Sequence, residues 1–317
     1  MKLARRDFLK LTTATAVGMT LAAPALPAET RNGMPYRTLG KTGELVSLLC
    51  VGGYHIGVPS EDESIRIMRT AVDEGVNFFD NAWQYHDGLS EERMGKALKD
   101  GYRDKVFLMT KHKGRDRATA QQHLEDSLRR LQVDVIDLWQ FHEVVFEDEP
   151  AKIYENGAID FALEAKAQGK IRYIGFTGHR FPSIHAEMID RGFAWDTVQM
   201  PLNVFDHHFR SFEQTVLPKA TEKNMGIIGM KTCGGTPGNI PGTQAATPAE
   251  CLRYAMNLPV SSVASGMASL DHLKANIATA KTFKPMEPQE VAALLERSRG
   301  PAGDGQHEPY KTLWYKA

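Results

Sequence analysis

Residues 106–142 read VFLMTKHKGRDRATAQQHLEDSLRRLQVDVIDLWQFH and contain the repeating unit of the fold. The apolar run Val106–Met109 is typical of a buried strand. Ala118–Leu131 follows with leucines at helical spacing, which predicts an amphipathic helix. Val133–Phe141 is again strand-like. A strand, a helix and a second strand in this order predict two parallel strands joined by a right-handed crossover.

The same alternation of short apolar runs and amphipathic stretches continues on both sides of this unit. The predicted strands are Val46–Val51, Val76–Phe79, Val106–Met109, Val133–Phe141, Ile171–Phe176, Thr197–Met200, Gly226–Met230 and Val260–Ala264. The predicted helices are Glu61–Glu74, Glu91–Leu98, Ala118–Leu131, Ile159–Ala167, Ser183–Arg191, Phe212–Lys223, Pro248–Asn257 and Leu270–Ala280. Eight strand–helix units over about 250 residues, with no long linker between them, predict an α/β protein with one closed (β/α)8 TIM barrel. The alternative is an open doubly wound sheet, which would want a G-x-G-x-x-G turn after its first strand; the sequence has none.

Two segments flank the predicted barrel. Tyr36–Gly43 is a short polar hairpin candidate that could plug one end of the barrel. The tail after Arg299 is rich in Gly and Pro and then aromatic, with Tyr310, Trp314 and Tyr315. This tail could be a loop over the barrel mouth or a docked terminus, and the aromatic residues favour a docked terminus.

The composition is that of an ordinary soluble globular protein, with 42% apolar and 24% charged residues. The formal net charge of −1 provides no overall field that would draw the chain to nucleic acid. The three cysteines, Cys50, Cys233 and Cys251, are odd in number and lack C-x-x-C spacing. These features argue against a disulfide framework, a zinc site or an iron–sulfur cluster, and predict buried small apolar side chains instead.

The first 30 residues differ from the rest of the chain and have the order of a secretory signal. Arg5-Arg6-Asp7-Phe8-Leu9-Lys10 matches the twin-arginine pattern, and an uncharged Ala- and Thr-rich stretch follows it to about Ala28. Ala23-Pro24-Ala25 is a cleavage site, and Ala28 offers a later one. The stretch is too short and too weakly apolar for a stable membrane span. We expect a signal at 1–30, a barrel domain at 31–317, and export by the twin-arginine machinery to the periplasm or another extracytoplasmic location; a disordered basic tail is the alternative.

Three neighbouring predicted strands end abruptly in an ionisable residue. These residues are Asp80, Lys111 and His142, and Tyr85 follows Asp80 by five positions. In barrel enzymes the chemistry lies at the carboxyl ends of the strands, so we expect the four side chains to meet at one mouth. A phenol beside an ammonium, itself held by a carboxylate, can donate a proton to a carbonyl oxygen. An imidazole can polarise the same oxygen. With no nucleophile in the set, the reducing power should come from a cofactor.

These residues lie in motifs that resemble those of the aldo-keto reductase family. The matching segments are Gly75–Tyr85 (GVNFFDNAWQY), Gly88–Glu92 (GLSEE), Gly95–Leu98 (GKAL), Thr110-Lys111, Ser127–Leu131 (SLRRL), Asp137-Leu138 with His142, and Gly169–Arg172 (GKIR) before Ile174–Phe176. The resemblance runs from about Tyr36 to Lys281. It implies that Tyr85 is the proton donor, Lys111 the neighbour that lowers its pKa, Asp80 the partner of Lys111, and His142 the residue that orients the carbonyl. It also implies direct hydride transfer from a reduced nicotinamide to an aldehyde or ketone.

The cofactor positions that the resemblance implies are less regular. They are Thr177, Gln199, Met230, Lys231, Gly234, Gly266, Met267, Ser269, His272 and Asn276. Gln199 matches the residue that holds the carboxamide, Met230 replaces an aromatic that stacks on the nicotinamide, and Asn276 matches an adenine contact. Family members that prefer NADP carry a Lys-Ser pair and an Arg where this chain has Gly266, Met267 and His272. We therefore expect little discrimination between NADP and NAD.

Two other interpretations remain open. A metal site could use His55, His112, His179, His207 or His208, but the H-x-H pair of barrel metallohydrolases is absent from the first predicted strand, and we expect no metal. The chain could also be a non-catalytic, reductase-like subunit that binds nucleotide or senses redox state. The complete set of four polar residues favours an enzyme over this alternative.

Overall fold

We describe the fold from a computed structural model, which describes residues 27–235 and 239–312. The predicted twin-arginine motif and the cleavage site at Ala25 lie outside the described residues, as do Trp314 and Tyr315. The described chain begins in a three-stranded antiparallel sheet, in the order β1 (Glu29–Arg31), β2 (Met34–Thr38) and β3 (Leu45–Ser47). Glu29 and Thr30 belong to this sheet, although the predicted signal extends to residue 30.

Eight parallel strands then close into a barrel, which confirms the fold predicted from the sequence. They are β4 (Leu49–Gly52), β5 (Phe78–Asp80), β6 (Phe107–His112), β7 (Ile136–Phe141), β8 (Ile171–Thr177), β9 (Thr197–Pro201), β10 (Gly226–Met230) and β11 (Ser262–Gly266). Each strand pairs with the next in the chain, and β11 pairs with β4 to close the ring.

Helices surround the barrel and follow its strands. They are α1 (Glu61–Asp73), α2 (Leu89–Ala97), α3 (Arg117–Leu131), α4 (Glu149–Glu155), α5 (Ala158–Ala167), α6 (Pro182–Asp190), α7 (Phe212–Thr215), α8 (Leu217–Glu222), α9 (Pro248–Asn257), α10 (Leu270–Lys281), α11 (Pro288–Ala302) and α12 (Pro309–Thr312). Short polar side chains cap several of them. Thr247 and Glu250, for example, form a reciprocal capping box that begins α9.

The core has two parts, as expected for a barrel inside a ring of helices. A small cluster fills the barrel and consists of Leu39, Val46, Cys50, Phe78, Phe107, Met109, Leu138, Ile228 and Ala264. A much larger apolar layer lies between the strands and the helices. Because side chains alternate along a strand, one face of each strand packs into the barrel and the other against the helices.

The N-terminal sheet covers one end of the barrel, as predicted for the hairpin. Arg37 is 2% exposed and donates hydrogen bonds to the carbonyl oxygens of Met256 and Val260, both at 2.9 Å. These carbonyls precede β11, so Arg37 lies at the amino-terminal end of the barrel. The carboxyl ends of the strands therefore form the opposite, open mouth.

The helical layer differs from the prediction at three places. The single helix predicted over Phe212–Lys223 is divided into α7 and α8, because Pro218 has no N–H for a continuous helix. Helix α4 is an additional helix after β7. Helices α11 and α12 were not predicted, since they follow the last strand–helix unit and no repeat indicates them.

Within residues 27–235 and 239–312, none of the helices combines the length and the apolar character that crossing a bilayer would need.

Candidate active site

Three of the predicted polar residues lie at the carboxyl ends of adjacent strands. Asp80 is the last residue of β5, Lys111 is the penultimate residue of β6, and His142 directly follows β7. Because β5, β6 and β7 are neighbours in the barrel, the fold brings these side chains together at the mouth. Tyr85 joins them from the loop after β5, as its position in the sequence indicated.

Lys111 is the centre of this cluster. Its ammonium forms an ion pair with Asp80, donates a 2.6 Å hydrogen bond to the carbonyl oxygen of Asn81, and lies 3.4 Å from the phenol oxygen of Tyr85. Lys111 is 1% exposed and Asp80 is 4% exposed, so water screens this pair poorly. Burial raises the pKa of the Asp80 carboxyl, while the charge and hydrogen bond of Lys111 oppose that rise. The ammonium can stabilise negative charge that develops on the Tyr85 oxygen.

The loop that carries Tyr85 is tied to the barrel by its backbone. The amide of Trp83 donates to the carbonyl of Lys111 at 2.9 Å, and the amide of Tyr85 donates to the carbonyl of Ala82 at 3.0 Å. The turn Tyr85–Gly88 follows, in which His86, Asp87 and Gly88 have left-handed backbones with φ of 51°, 55° and 94°. A side chain at Gly88 would also meet the guanidinium of Arg130, so only glycine suits this turn. The phenol is therefore held in register with Lys111.

A buried polar group supports the same loop from beneath. Glu91 is fully buried, accepts a 2.6 Å hydrogen bond from Thr110, and lies 3.4 Å from Arg130. Arg130 also donates to the carbonyl of Trp83 at 2.9 Å. Glu91 and Arg130 both lie in the motifs quoted from the sequence. Their contacts show that these parts of the motifs position the Tyr85 loop.

His142 is fixed beside Tyr85. Its ring lies edge-to-face with the Tyr85 ring at 5.6 Å between centroids. Its backbone is held at both ends: its amide donates to the carbonyl of His112 at 2.7 Å, and Arg115 donates to its carbonyl at 2.6 Å. Burial, together with the nearby charge of Lys111, lowers the pKa of His142 well below its ordinary value. The imidazole is therefore neutral at neutral pH and can donate one hydrogen bond to a substrate oxygen.

Tyr54 lines one side of this site and was not predicted from the sequence. Its ring packs edge-to-face on Tyr85 at 5.5 Å, and the residue remains 47% exposed. An exposed aromatic ring beside the Tyr85 phenol is suited to contact a bound small molecule. The GGYH segment that carries Tyr54 directly follows the first barrel strand, and this position was the only available signal.

The carboxyl ends of β8 and β9 hold two predicted cofactor positions. Gln199 is 1% exposed, donates to Asp80 at 3.2 Å and accepts from Gln140 at 3.3 Å. Gln140 was not predicted, because it lies within a predicted strand and not after its end. Thr177 is fully buried, and its hydroxyl makes no hydrogen bond within the described part of the chain. The next residue is Gly178. Any larger residue would not fit there, because its Cβ atom would lie 2.3 Å from the carbonyl oxygen of Val144.

The end of β10 holds the next predicted positions. Met230 is half-buried and packs against the barrel cluster. Lys231 has a left-handed backbone, with a φ of 58°, and its ammonium lies 4.9 Å from the centroid of the Tyr310 ring. Burial lowers the pKa of Lys231 to about 8. Gly234 has a φ of 90°, and a side chain there would lie 2.8 Å from the carbonyl oxygen of His307, so the C-terminal segment packs on this loop.

The last predicted positions lie at the start of α10. Ser269 caps the helix by accepting a 3.2 Å hydrogen bond from the amide of His272. Asn276 donates to the hydroxyl of Ser265 at 3.0 Å. Gly266 and His272 are exposed, whereas the Met267 side chain is fully buried in the core. A helix start with exposed neighbours is suited to bind an anionic group.

Three of the histidines considered for a metal site have structural contacts. His112 stacks on Trp139 at 3.6 Å between ring centroids, His207 lies 2.9 Å from a carboxylate oxygen of Glu213, and His208 lies 3.0 Å from the Ser298 hydroxyl. Across residues 27–235 and 239–312, the structure contains no cluster of three or more His, Cys, Asp or Glu residues that could hold a metal ion.

These residues fit a nicotinamide nucleotide at the barrel mouth. The Thr177 hydroxyl and His142 Nδ1 are both buried at the carboxyl ends of neighbouring strands, and neither has a hydrogen-bond partner among the described residues. Buried polar groups are usually satisfied, so these two atoms are available to a polar ligand at the mouth. The amide of Gln199 and the thioether of Met230 suit a carboxamide and an aromatic ring, respectively.

Comparison with known proteins adds an independent line of evidence. The model of the aldo/keto reductase family matches residues 48–245. The chain is 33% identical over 231 residues to the uncharacterized oxidoreductase YrpG of Bacillus subtilis, a match that covers 64% of this chain and 67% of that protein. It is 29% identical over 305 residues to L-galactose dehydrogenase of Arabidopsis thaliana, covering 82% of this chain and 94% of that protein. An aldo-keto reductase from Bacillus halodurans, solved in its holo form, superposes with a TM-score of 0.71 at 26% identity, covering 87% of this chain and 99% of that one.

Proposed function

The chain belongs to the aldo/keto reductase family of NAD(P)-dependent oxidoreductases, and we propose that it reduces a small-molecule aldehyde or ketone to an alcohol, or runs the reverse reaction. One observation carries this proposal. The phenol oxygen of Tyr85 lies 3.4 Å from the ammonium of Lys111, whose buried partner is Asp80. This is the arrangement that a carbonyl reductase needs in order to protonate an oxygen as negative charge develops on it.

Each residue of the cluster has a role in this chemistry. The bound nicotinamide supplies the hydride. Tyr85 donates its proton to the carbonyl oxygen, and Lys111 stabilises the phenolate that remains. Asp80 holds Lys111 in place, and the neutral imidazole of His142 donates a hydrogen bond that orients the same oxygen. In the reverse direction Tyr85 accepts the proton of the alcohol.

We propose that the other residues at the mouth bind the cofactor. Gln199 and Thr177 would hold the carboxamide, and Met230 would pack on the nicotinamide ring. Gly234 and Lys231 lie where the loop after β10 leaves the barrel, near the pyrophosphate in this proposal. Ser269, His272 and Asn276 at α10 would receive the adenosine end. The nucleotide, NADP or NAD, is proposed to bind with little preference, because no Arg occupies the position of His272.

The assay is oxidation of NADPH or NADH by the purified protein with a panel of aldehydes and ketones. Tyr85→Phe removes only the hydroxyl and should lower turnover at least about 100-fold, on the scale of general acid–base catalysis. Nucleotide binding should remain close to that of the wild type. Tyr102→Phe is the matched control, since the Tyr102 hydroxyl contacts Asp73 on the outer surface and should not affect turnover. Near-full turnover of Tyr85→Phe would refute the assignment. A protein that binds nucleotide but reduces none of the carbonyls would instead favour the non-catalytic subunit.

We also propose that residues 1–30 direct export of the folded protein by the twin-arginine route. The order of charged, uncharged and small residues supports this proposal. The amide of Ala28 donates to the carbonyl of Tyr36 at 2.8 Å, and β1 begins at Glu29. Cleavage after Ala25 would therefore leave the N-terminal sheet complete.

A further inference from the structure

A polar pair lies at the barrel mouth beside the four residues assigned to catalysis. The side-chain amide of Gln84 donates a hydrogen bond to the carboxylate of Glu143 at 3.2 Å. Gln84 is in the loop after β5, immediately before Tyr85, and Glu143 follows His142, two residues beyond β7. Because β6 lies between β5 and β7 in the barrel, this hydrogen bond spans the end of β6. The pair is therefore part of the wall around the reacting groups.

The pair presents hydrogen-bond acceptors next to the site of reaction. The Oε1 atom of Gln84 is buried and has no hydrogen-bond partner among the residues that the structure describes. An oxygen of the Glu143 carboxylate lies 3.9 Å from Nε2 of His142, so this carboxylate is next to the imidazole that we assign to the substrate oxygen. Carboxylate and amide oxygens accept hydrogen bonds, and hydroxyl groups of a ligand can donate to both.

Charges of both signs at the mouth favour a neutral ligand. Burial lowers the pKa of Lys231, and the Glu143 carboxylate opposes this shift. Burial also lowers the pKa of His142, and the positive charges of Lys111 and Lys113 contribute to that shift. A cationic ligand would meet these ammonium groups, and an anionic ligand would meet Glu143. Neutral groups that form hydrogen bonds avoid both repulsions.

The ring of Tyr54 provides an apolar surface at the same site. It packs edge-to-face on Tyr85 at 5.5 Å, and the ring of His142 packs edge-to-face on Tyr85 at 5.6 Å. Tyr54 is exposed, so a ligand at the mouth can reach its ring. A polyhydroxy carbon chain has C–H groups that can pack on an aromatic ring and hydroxyl groups that require hydrogen-bond partners. The mouth offers both kinds of contact.

We propose that Gln84 and Glu143 bind hydroxyl groups on the carbon atoms next to the reacting carbonyl, and that the substrate is a neutral polyhydroxy aldehyde or ketone. This inference rests on the proposed function for the position of the carbonyl oxygen, which lies between Tyr85 and His142 in that reaction. The next carbon atoms then extend past His142 toward Glu143. A site that hydrogen-bonds hydroxyl groups discriminates against an analogue without them, because its acceptors are then left unpaired.

The test compares D-glyceraldehyde with propanal, two aldehydes with the same carbon chain that differ in their hydroxyl groups. The purified full-length protein is assayed with each aldehyde and NADPH or NADH. We expect kcat/KM to favour D-glyceraldehyde at least about tenfold in the wild type. This ratio should fall about tenfold or more in Gln84→Met and in Glu143→Met, and less in Glu143→Gln, which keeps the shape of the side chain. Glu125→Gln is the matched control, since Glu125 accepts from Gln121 at 2.9 Å in an exposed amide–carboxylate pair on α3.

The ratio separates binding of the hydroxyl groups from support of the Tyr85 loop. If the pair only supports the loop, its variants will lower kcat/KM for both aldehydes equally and leave the ratio unchanged, which would overturn the proposal. A wild-type preference for propanal would overturn it as well.

Saturation-transfer NMR with glycerol and propanol gives a second readout that needs no turnover. The wild type should bind glycerol more strongly than propanol, and Glu143→Met should lose this preference. A protein that reduces neither aldehyde but shows this pattern would refute the proposed function and leave the hydroxyl site standing. A protein that reduces neither aldehyde and shows no preference for glycerol would overturn both.

Discussion

Removing the ammonium at the centre of the site should cost stability as well as activity. Lys111→Met leaves Asp80 buried, with Gln199 at 3.2 Å as its remaining side-chain donor. Breaking a buried ion pair on one side costs about 3–5 kcal/mol, because the other charge stays unpaired in a poorly screened site. We therefore expect the free energy of unfolding of Lys111→Met to fall by this amount near neutral pH. Carbonyl reduction should also be lost.

The pH dependence of this loss has a definite sign. Burial already raises the pKa of Asp80, and without Lys111 nothing as strong opposes that rise. A carboxyl with a raised folded pKa is destabilising when ionised, above that pKa, and its penalty disappears as the pH falls toward the unfolded value of about 3.9. The difference in unfolding free energy between the wild type and Lys111→Met should thus be largest at about pH 8 and shrink toward about pH 5.

Urea denaturation of four proteins at both pH values measures this effect. Lys152→Met breaks an exposed pair with Asp148 and should leave the free energy of unfolding close to that of the wild type. The double variant Asp80→Asn, Lys111→Met removes both charges and should recover much of the loss of Lys111→Met. If Lys111→Met loses no more than Lys152→Met, or loses the same amount at both pH values, Asp80 is not the unpaired buried charge that we infer.

The nucleotide site, the buried Asp206 carboxyl and the N-terminal segment can each be tested separately. Nucleotide-free protein is titrated with NADP and with NAD, and binding is followed by tryptophan fluorescence. The affinity for NADP should exceed that for NAD by less than a hundredfold, because His272 replaces the Arg that would bind a 2′-phosphate. A larger preference for NADP would show that other residues bind the phosphate. Burial raises the pKa of Asp206 to about 7, so the free energy of unfolding of the wild type should fall as this carboxyl ionises with rising pH. Asp206→Asn lacks this ionisation, so its stability in urea relative to the wild type should increase between about pH 5 and pH 8. A constant difference between the two proteins would contradict this sign. Changing Arg5 and Arg6 to Lys should retain the precursor in the cytoplasm, as judged by fractionation and immunoblotting, and normal export would refute the twin-arginine proposal.

The barrel could be predicted from the sequence because each strand and each helix has a pattern that lies within one short segment of the chain. Alternating apolar runs and amphipathic helices each occupy one window of the chain, and the parallel topology follows from their order. Asp80, Lys111 and His142 could be identified for the same reason, since each ends a strand and the topology places neighbouring strand ends together. Tyr85 could be added to this set because it follows Asp80 by only five positions, so a short loop places it at the same mouth.

Other parts of the site depend on contacts between distant residues, which no window of sequence contains. Gln140 was hidden within a predicted strand, although it is hydrogen-bonded to Gln199. Tyr54 carries no motif and is important only because its ring meets Tyr85. Helix α11 has an apolar face that only the assembled barrel explains.

Arg37 links the beginning of the chain to its last barrel strand, and this link governs when the protein can finish folding. Its guanidinium binds the carbonyls of Met256 and Val260, 219 and 223 residues further along the chain. Closing so long a stretch is entropically costly and kinetically slow. The ring also closes between β4 and β11, so neither contact can form until the chain through β11 has been synthesised. The residues of the barrel mouth can therefore take up their final positions only after β11, the last strand of the ring, has paired with β4.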